Sequence, residues 1–214
     1  MPHKRNISAL DRFLAKTSQL LNGNTLPDNI GARPSPALQL PEQVEDSQTE
    51  LAAGLMRVNH TGEVCAQALY RGQELTASRS PVRNSMRQAA KEEQDHLDWC
   101  SERLAQLGSH TSRLNPLFYT TSFCIGALAG LAGDKWSLGF VAETEKQVCR
   151  HLEDHLQKLP VSDAKSRAIV EQMQIDEAKH ANMALESGAA ILPLPVQMAM
   201  KLMSRVMTRT TYYW

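Results

Sequence analysis

Two Glu-x-x-His pairs, Glu93/His96 and Glu177/His180, constrain this chain more than any other feature. Three residues is close to one helical turn, so each pair projects from one side of its helix. In both cases that side is apolar. Val82, Met86, Ala89, Leu97, Cys100 and Leu104 share the stripe of the first pair, and Val170, Met173, Ala181 and Ala184 that of the second. An ionised carboxylate facing a core costs on the order of several kcal/mol unless something neutralises it. The same problem recurs at Glu63, among Ala52, Met56, Ala66 and Tyr70, and at Glu145, beside Val148, Cys149 and Leu152.

The periodicity predicts an all-α chain. Long helices are expected at about 49–77, 80–108, 135–159 and 162–188, with Ser80 and Ser162 as N-caps and Pro160 as the break between the last two. A helical region at 118–133, after a loop through Pro116, either continues into the third or stops before a restart near Lys135, and a last helix at 196–209 follows Pro193 and Pro195. An amphipathic helix is expected at 8–22, and Pro27, Pro34, Pro36 and Pro41 then mark an irregular arm. The expected organisation is an N-terminal helix and arm at 1–45, a four-helix bundle at 46–190 and a C-terminal amphipathic helix at 191–214, the last belonging to the same domain.

Antiparallel hairpins give the acids a common level. A turn near Ser78 leaves Glu63 and Glu93 equally distant on either side, and a turn near Val161 does the same for Glu145 and Glu177. The chain is a duplicated plan, Glu followed by Glu-x-x-His. Four glutamates and two histidines meeting in a four-helix core match a carboxylate-bridged di-iron or di-manganese centre. Four carboxylates and two divalent cations leave a neutral site, and mixed carboxylate and imidazole donors suit iron or manganese. On this reading Glu93 and Glu177 bridge, Glu63 and Glu145 are terminal, and His96 and His180 serve one metal each. Acids neutralised by other partners, in a helical interaction module without metal, are the alternative.

Other polar residues carry weaker signals. Glu92 and Asp176 precede the two bridging positions equivalently, and either orient the ligand histidines across the bundle or face solvent. His60 lies one turn before Glu63, either beside the site or in an ordinary polar contact. His151 and His155 are expected on a solvated face. Cys65, Cys100, Cys124 and Cys149 form no C-x-x-C pair and fit neither a zinc site nor a disulfide scaffold, which indicates a reducing compartment. Equal numbers of basic and acidic residues, 23 each, argue against a nucleic-acid partner. The run from Leu114 to Gly133 is uncharged but too polar and glycine-rich to span a bilayer. In the last helix Val196, Met200, Met203, Val206 and Met207 oppose Lys201, Arg205 and Arg209, and Tyr212, Tyr213 and Trp214 follow. Such a helix either packs on the bundle or lies at a membrane surface.

The segments RVNHTGEVCAQALYRGQ, EEQDH, FVAETEKQV and IDEAKH together resemble the bacterial demethoxyubiquinone hydroxylase family of ubiquinone biosynthesis, over roughly residues 50–214. The resemblance implies a ferritin-like antiparallel bundle with two iron ions per chain, manganese not being excluded. It carries the family's iron ligands onto Glu63, Glu93, His96, Glu145, Glu177 and His180. Glu143 is a rival to Glu145 but sits off the core stripe. The implied activity is an O2-dependent monooxygenase that hydroxylates the ring of a polyprenylated methoxy-methyl-benzoquinol. The implied setting is peripheral, on the cytoplasmic face of the cell membrane, with pathway proteins or a second copy of the chain as candidate partners. Iron storage or peroxide detoxification by a ferritin-like protein is the rival activity for the same six ligands.

Overall fold

The computed structural model describes residues 33–41 and 44–213, so the helix expected at 8–22 and the terminal Trp214 lie outside the described residues. Six helices follow in order: α1 Asp46–Thr76, α2 Ser80–Gln106, α3 Asn115–Leu131, α4 Asp134–Lys158, α5 Ala164–Glu186 and α6 Leu194–Thr211. The hairpins α1–α2 and α4–α5 pack together as a four-helix bundle, with α3 laid along α1 and α6 against α1 and α4.

Helix ends differ from expectation in three places. Ser80 is the first residue of α2 rather than its cap, Arg79 holds the cap position, and Pro81 falls in the first turn. Asp163, not Ser162, caps α5, its carboxylate accepting from the Ser166 N–H at 2.9 Å. Asp163 also pairs with the buried Arg103 of α2 at 2.9 Å, so an acid does here what a hydroxyl could not, tying two helices as well as ending one. Pro116 lies inside the first turn of α3 rather than in a loop, where its missing N–H has no partner to lose. Between α3 and α4 the chain breaks at Gly133, whose φ of 107° is open to glycine and strained for other residues.

α1 is the central element, buried without interruption from Ala52 to Thr61. Arg57, His60 and Thr61 in that stretch are partnered, whereas Asn59 Oδ1 accepts no hydrogen bond among the described residues. Arg57 donates to the carbonyls of His110 and Tyr212 and to Ser109 Oγ, and Thr61 Oγ1 donates to Asn115 Oδ1 at 2.8 Å. Asn115 Nδ2 also meets His60 Nδ1 at 3.3 Å, so His60 makes an ordinary polar contact at the start of α3. Apolar layers lie on both sides of the acid level. Met56, Trp99, Leu104, Leu152, Ile169 and Met173 fill one end, and Tyr70, Val82, Met86, Leu138 and Val141 the other.

His151 and His155 are not on a solvated face. His155 is buried, His151 is half-buried, and their rings stand 3.9 Å apart. His155 falls on the stripe of Leu152 and Leu159, which belongs to the core. Burial holds both imidazoles neutral, bringing His151 down to about 4 and His155 to about 2.

Outside the bundle proper, apolar side chains stay uncovered. Leu117, Leu128 and Leu131 of α3 are exposed, as are Met198, Leu202, Met203 and Val206 of α6. No helix among the described residues is long and apolar enough to cross a membrane.

α3 approaches α1 at glycine. A Cβ on Gly126 would lie 2.2 Å from Leu69 O, and one on Gly72 would lie 2.2 Å from Phe123 O. Gly126→Ala is therefore expected to destabilise the fold by about 1–3 kcal/mol, because backbone must move. Gly62→Ala, whose Cβ meets nothing within 4 Å, is expected to be neutral or stabilising by up to about 1 kcal/mol. Denaturant midpoints of the two variants check this, and equal midpoints would refute the tight seam.

Candidate metal centre

Each hairpin delivers its acids by helical register. Glu63 comes from α1, Glu93 and His96 from α2, Glu145 from α4, and Glu177 and His180 from α5; all six are buried. Ligand atoms of Glu63, Glu93, His96 and Glu177 lie within 4.8 Å of one another, close enough to hold a metal ion. His96 Nδ1 is 3.2 Å from Glu63 Oε2, 3.2 Å from Glu93 Oε2 and 3.1 Å from Glu177 Oε1. His180 Nδ1 is 3.0 Å from Glu177 Oε2 and 3.5 Å from Glu93 Oε1. Glu145, from α4, is outside that group of four; near enough to feel the charges of Glu177, Glu93 and His180, it accepts a hydrogen bond from the buried Tyr70 hydroxyl. Glu143 is half-buried and accepts from Gln147 instead.

The outer face of each imidazole is held by the opposite hairpin. His96 Nε2 meets Asp176 Oδ2 at 3.3 Å, and His180 Nε2 meets Glu92 Oε2 at 2.7 Å. Of the two sequence alternatives for Glu92 and Asp176, the geometry is the cross-bundle one. An acid on Nε2 fixes the ring and favours the tautomer that leaves Nδ1 free to ligate.

Electrostatics show what the cluster lacks. Burial, and then the charge of Glu177, push Glu93 and Glu145 well above the ordinary carboxylate range. Burial and the Glu145 charge likewise raise Tyr70, which keeps its proton and donates it. Among the described residues, Glu93 Oε1, Glu145 Oε2 and Glu177 Oε1 accept no hydrogen bond. The last has His96 Nδ1 nearby but not in hydrogen-bonding alignment. Buried carboxylate oxygens are ordinarily satisfied. Oxygens turned toward one another and toward two imidazole Nδ1 atoms are the donor set of hard or borderline divalent cations. The residues present fit a metal ion of this kind.

A cavity of about 310 Å³ reaches the cluster at the end of the bundle, lined by Tyr70, Met86, Glu92, Val141, His180 and Met183 among others. A larger surface recess, about 590 Å³, lies at Arg79, Gly133, Asp134 and Trp136 and includes none of the six clustered residues. Of these two the smaller borders the clustered residues, and a further tight recess lies at Tyr70, Phe140, Val141 and Glu145.

Two participants had no signal in the sequence as a site. Tyr70 reads there as one more apolar-face residue. Arg33, from the proline-containing arm, pairs with Asp95 and Asp176.

Comparison with known proteins gives the fold class and the family. A solved structure described as a dodecameric thioferritin, the bacterioferritin-related protein from Bacteroides fragilis, matches with a TM-score of 0.55 at 14% identity, over 67% of this chain and 86% of that one. At that identity it shows the fold alone, a ferritin-like one. Proteins named 3-demethoxyubiquinol 3-hydroxylase are much nearer. The one from Stutzerimonas stutzeri is 55% identical over 213 residues, 99% of each chain. The one from Alcanivorax borkumensis is 53% identical over 215 residues, 98% of each chain. The family model described as Ubiquinone biosynthesis protein COQ7 matches residues 50–211. With its buried Glu and Glu-x-x-His repeats inside that span, the chain belongs to the COQ7 family of ubiquinone biosynthesis proteins.

Proposed function

We propose that this chain is a 3-demethoxyubiquinol 3-hydroxylase whose centre is a pair of iron ions. Glu63 and His96 would hold one ion and Glu145 and His180 the other, with Glu93 and Glu177 shared between them. The single observation that carries the reading is the buried cluster itself: carboxylates from all four bundle helices, with two imidazole Nδ1 atoms facing them. Iron held there would supply O2 activation for ring hydroxylation, a reaction in which one oxygen atom becomes the hydroxyl and two electrons and two protons carry the other away as water.

The chain's own residues supply geometry and exclusion of water. Asp176 and Glu92 keep both imidazole rings turned inward, and Tyr70 holds one oxygen of Glu145 while the other stays free to ligate. Apolar layers above and below the acids keep bulk water from the reacting oxygen. The quinol ring is taken into the cavity at Tyr70 and His180, whose volume is at the lower end for small-molecule sites. Ferritin-like storage uses the same donor types, but close relatives across the whole length carry the hydroxylase name.

The substrate's isoprenoid tail needs an apolar phase, and the exposed apolar side chains of α3 and α6 supply a docking face for the membrane. Lys201, Arg205 and Arg209 on α6 suit anionic headgroups. The chain thereby works as a peripheral protein at the cytoplasmic face of the cell membrane.

Two measurements test these proposals. Cells lacking the protein are expected to accumulate demethoxyubiquinone, with rescue by wild type and none by Glu177→Ala; normal ubiquinone in such cells would contradict the activity. Met203→Glu together with Leu202→Glu is expected to weaken binding to anionic vesicles at least about tenfold, since two apolar insertions are lost. Undiminished vesicle binding would remove α6 from the membrane face.

A further inference from the structure

The two ends of the cluster are built alike but closed differently. At the His180 end the outer partner, Glu92, is 36% exposed at the cavity and is otherwise met by Gln88 Nε2 at 2.8 Å. At the His96 end the outer partner, Asp176, is buried; its Oδ1 accepts from Gln172 Nε2 at 3.2 Å and Lys179 Nζ at 3.1 Å, and its Oδ2 faces an arginine from the N-terminal arm. Arg33 Nη1 donates to Asp176 Oδ2 at 2.7 Å, the same oxygen that meets His96 Nε2. Arg33 Nε donates to Asp95 Oδ2 at 2.7 Å, and the Arg33 backbone N–H to Asp95 Oδ1 at 3.2 Å. The guanidinium therefore joins an acid of α2 to an acid of α5, with Nη2 3.5 Å from His96 Nε2.

Arg33 is itself fixed. Its carbonyl accepts from Trp99 Nε1 at 3.1 Å, and its guanidinium carbon stands 4.9 Å from the centre of the Trp99 ring. The Trp99 ring lies 5.4 Å from that of His96. Four residues further on, Ala37 is buried in the same apolar layer as Trp99. The arm is thus docked at the arginine and again at Ala37, and a planar two-pronged donor spans a gap that a point charge would not.

We propose that Arg33 is a positioning residue of the metal centre: by pinning Asp176 against His96 and Asp95, it locks the His96 ring with Nδ1 toward the carboxylates. This rests on the di-iron reading and assigns a role to the arm at 33–41, upstream of the part of the chain that the family model matches. It also makes the two metal positions inequivalent, one braced by an arginine and one bordering the cavity.

The test is iron loading of the full-length chain, followed by competition with a chelator and by Mössbauer spectroscopy. Wild type, Arg33→Gln, Arg33→Lys and, as a control, Arg79→Gln at the distant Asp134 pair are compared. Removing a partner of a ligand histidine typically costs 10–100-fold in metal affinity. Arg33→Gln should therefore lose iron to the chelator about tenfold or more faster, with the signal of one iron perturbed more than the other. Arg33→Lys should recover part of the loss, and Arg79→Gln should match wild type. Wild-type retention and an unchanged spectrum in Arg33→Gln would overturn the proposal and leave the di-iron reading standing. Equal loss in Arg79→Gln would also overturn it, as a general effect of fold stability. A wild type that binds no iron would overturn the reading beneath it.

Discussion

Everything in this fold is arranged around the cost of placing four carboxylates inside a helical core. Two of them, Glu93 and Glu145, are pushed by burial toward the protonated state. Three oxygens accept no hydrogen bond among the described residues. A core designed for stability alone would fill those positions with leucine. The acids stand where two long hairpins bring them level, and the apolar layers on either side give a dry, low-dielectric setting in which they favour cations strongly. Stability is supplied elsewhere, by the Arg103–Asp163 pair, the Arg57 contacts and the glycine seam between α1 and α3.

The duplicated motif gives the centre an approximate internal symmetry. Each imidazole is gripped on its outer nitrogen by an acid from the other hairpin, so neither half can orient its own histidine. That crossing couples the hairpins at the one level where precision matters. The symmetry is broken at its periphery. One end borders a cavity and the other is closed by the N-terminal arm.

Much of this was legible in the sequence because helical period and hairpin register are local rules. The six acids and histidines, the roles open to Glu92 and Asp176, and four long helices all follow from spacing. What failed did so for identifiable reasons. Ser80 and Ser162 look like caps, but cap choice depends on which neighbour also needs a partner, and Asp163 has Arg103 to hold. Spacing puts His155 on a solvated face although it shares the stripe of Leu152 and Leu159, because a histidine on a stripe is ambiguous without knowing how wide the buried face is. Arg33 was invisible. Its partners are far away in the chain, and the arm that carries it has no periodicity to read.

The central claim is that the buried acids exist to hold metal, and native mass spectrometry of the purified full-length chain tests it most directly. Two iron ions per folded chain are predicted for wild type, with Glu177→Ala retaining the fold and losing the pair. A folded wild-type chain that carries no metal after incubation with ferrous iron, while still hydroxylating its quinol, would contradict it.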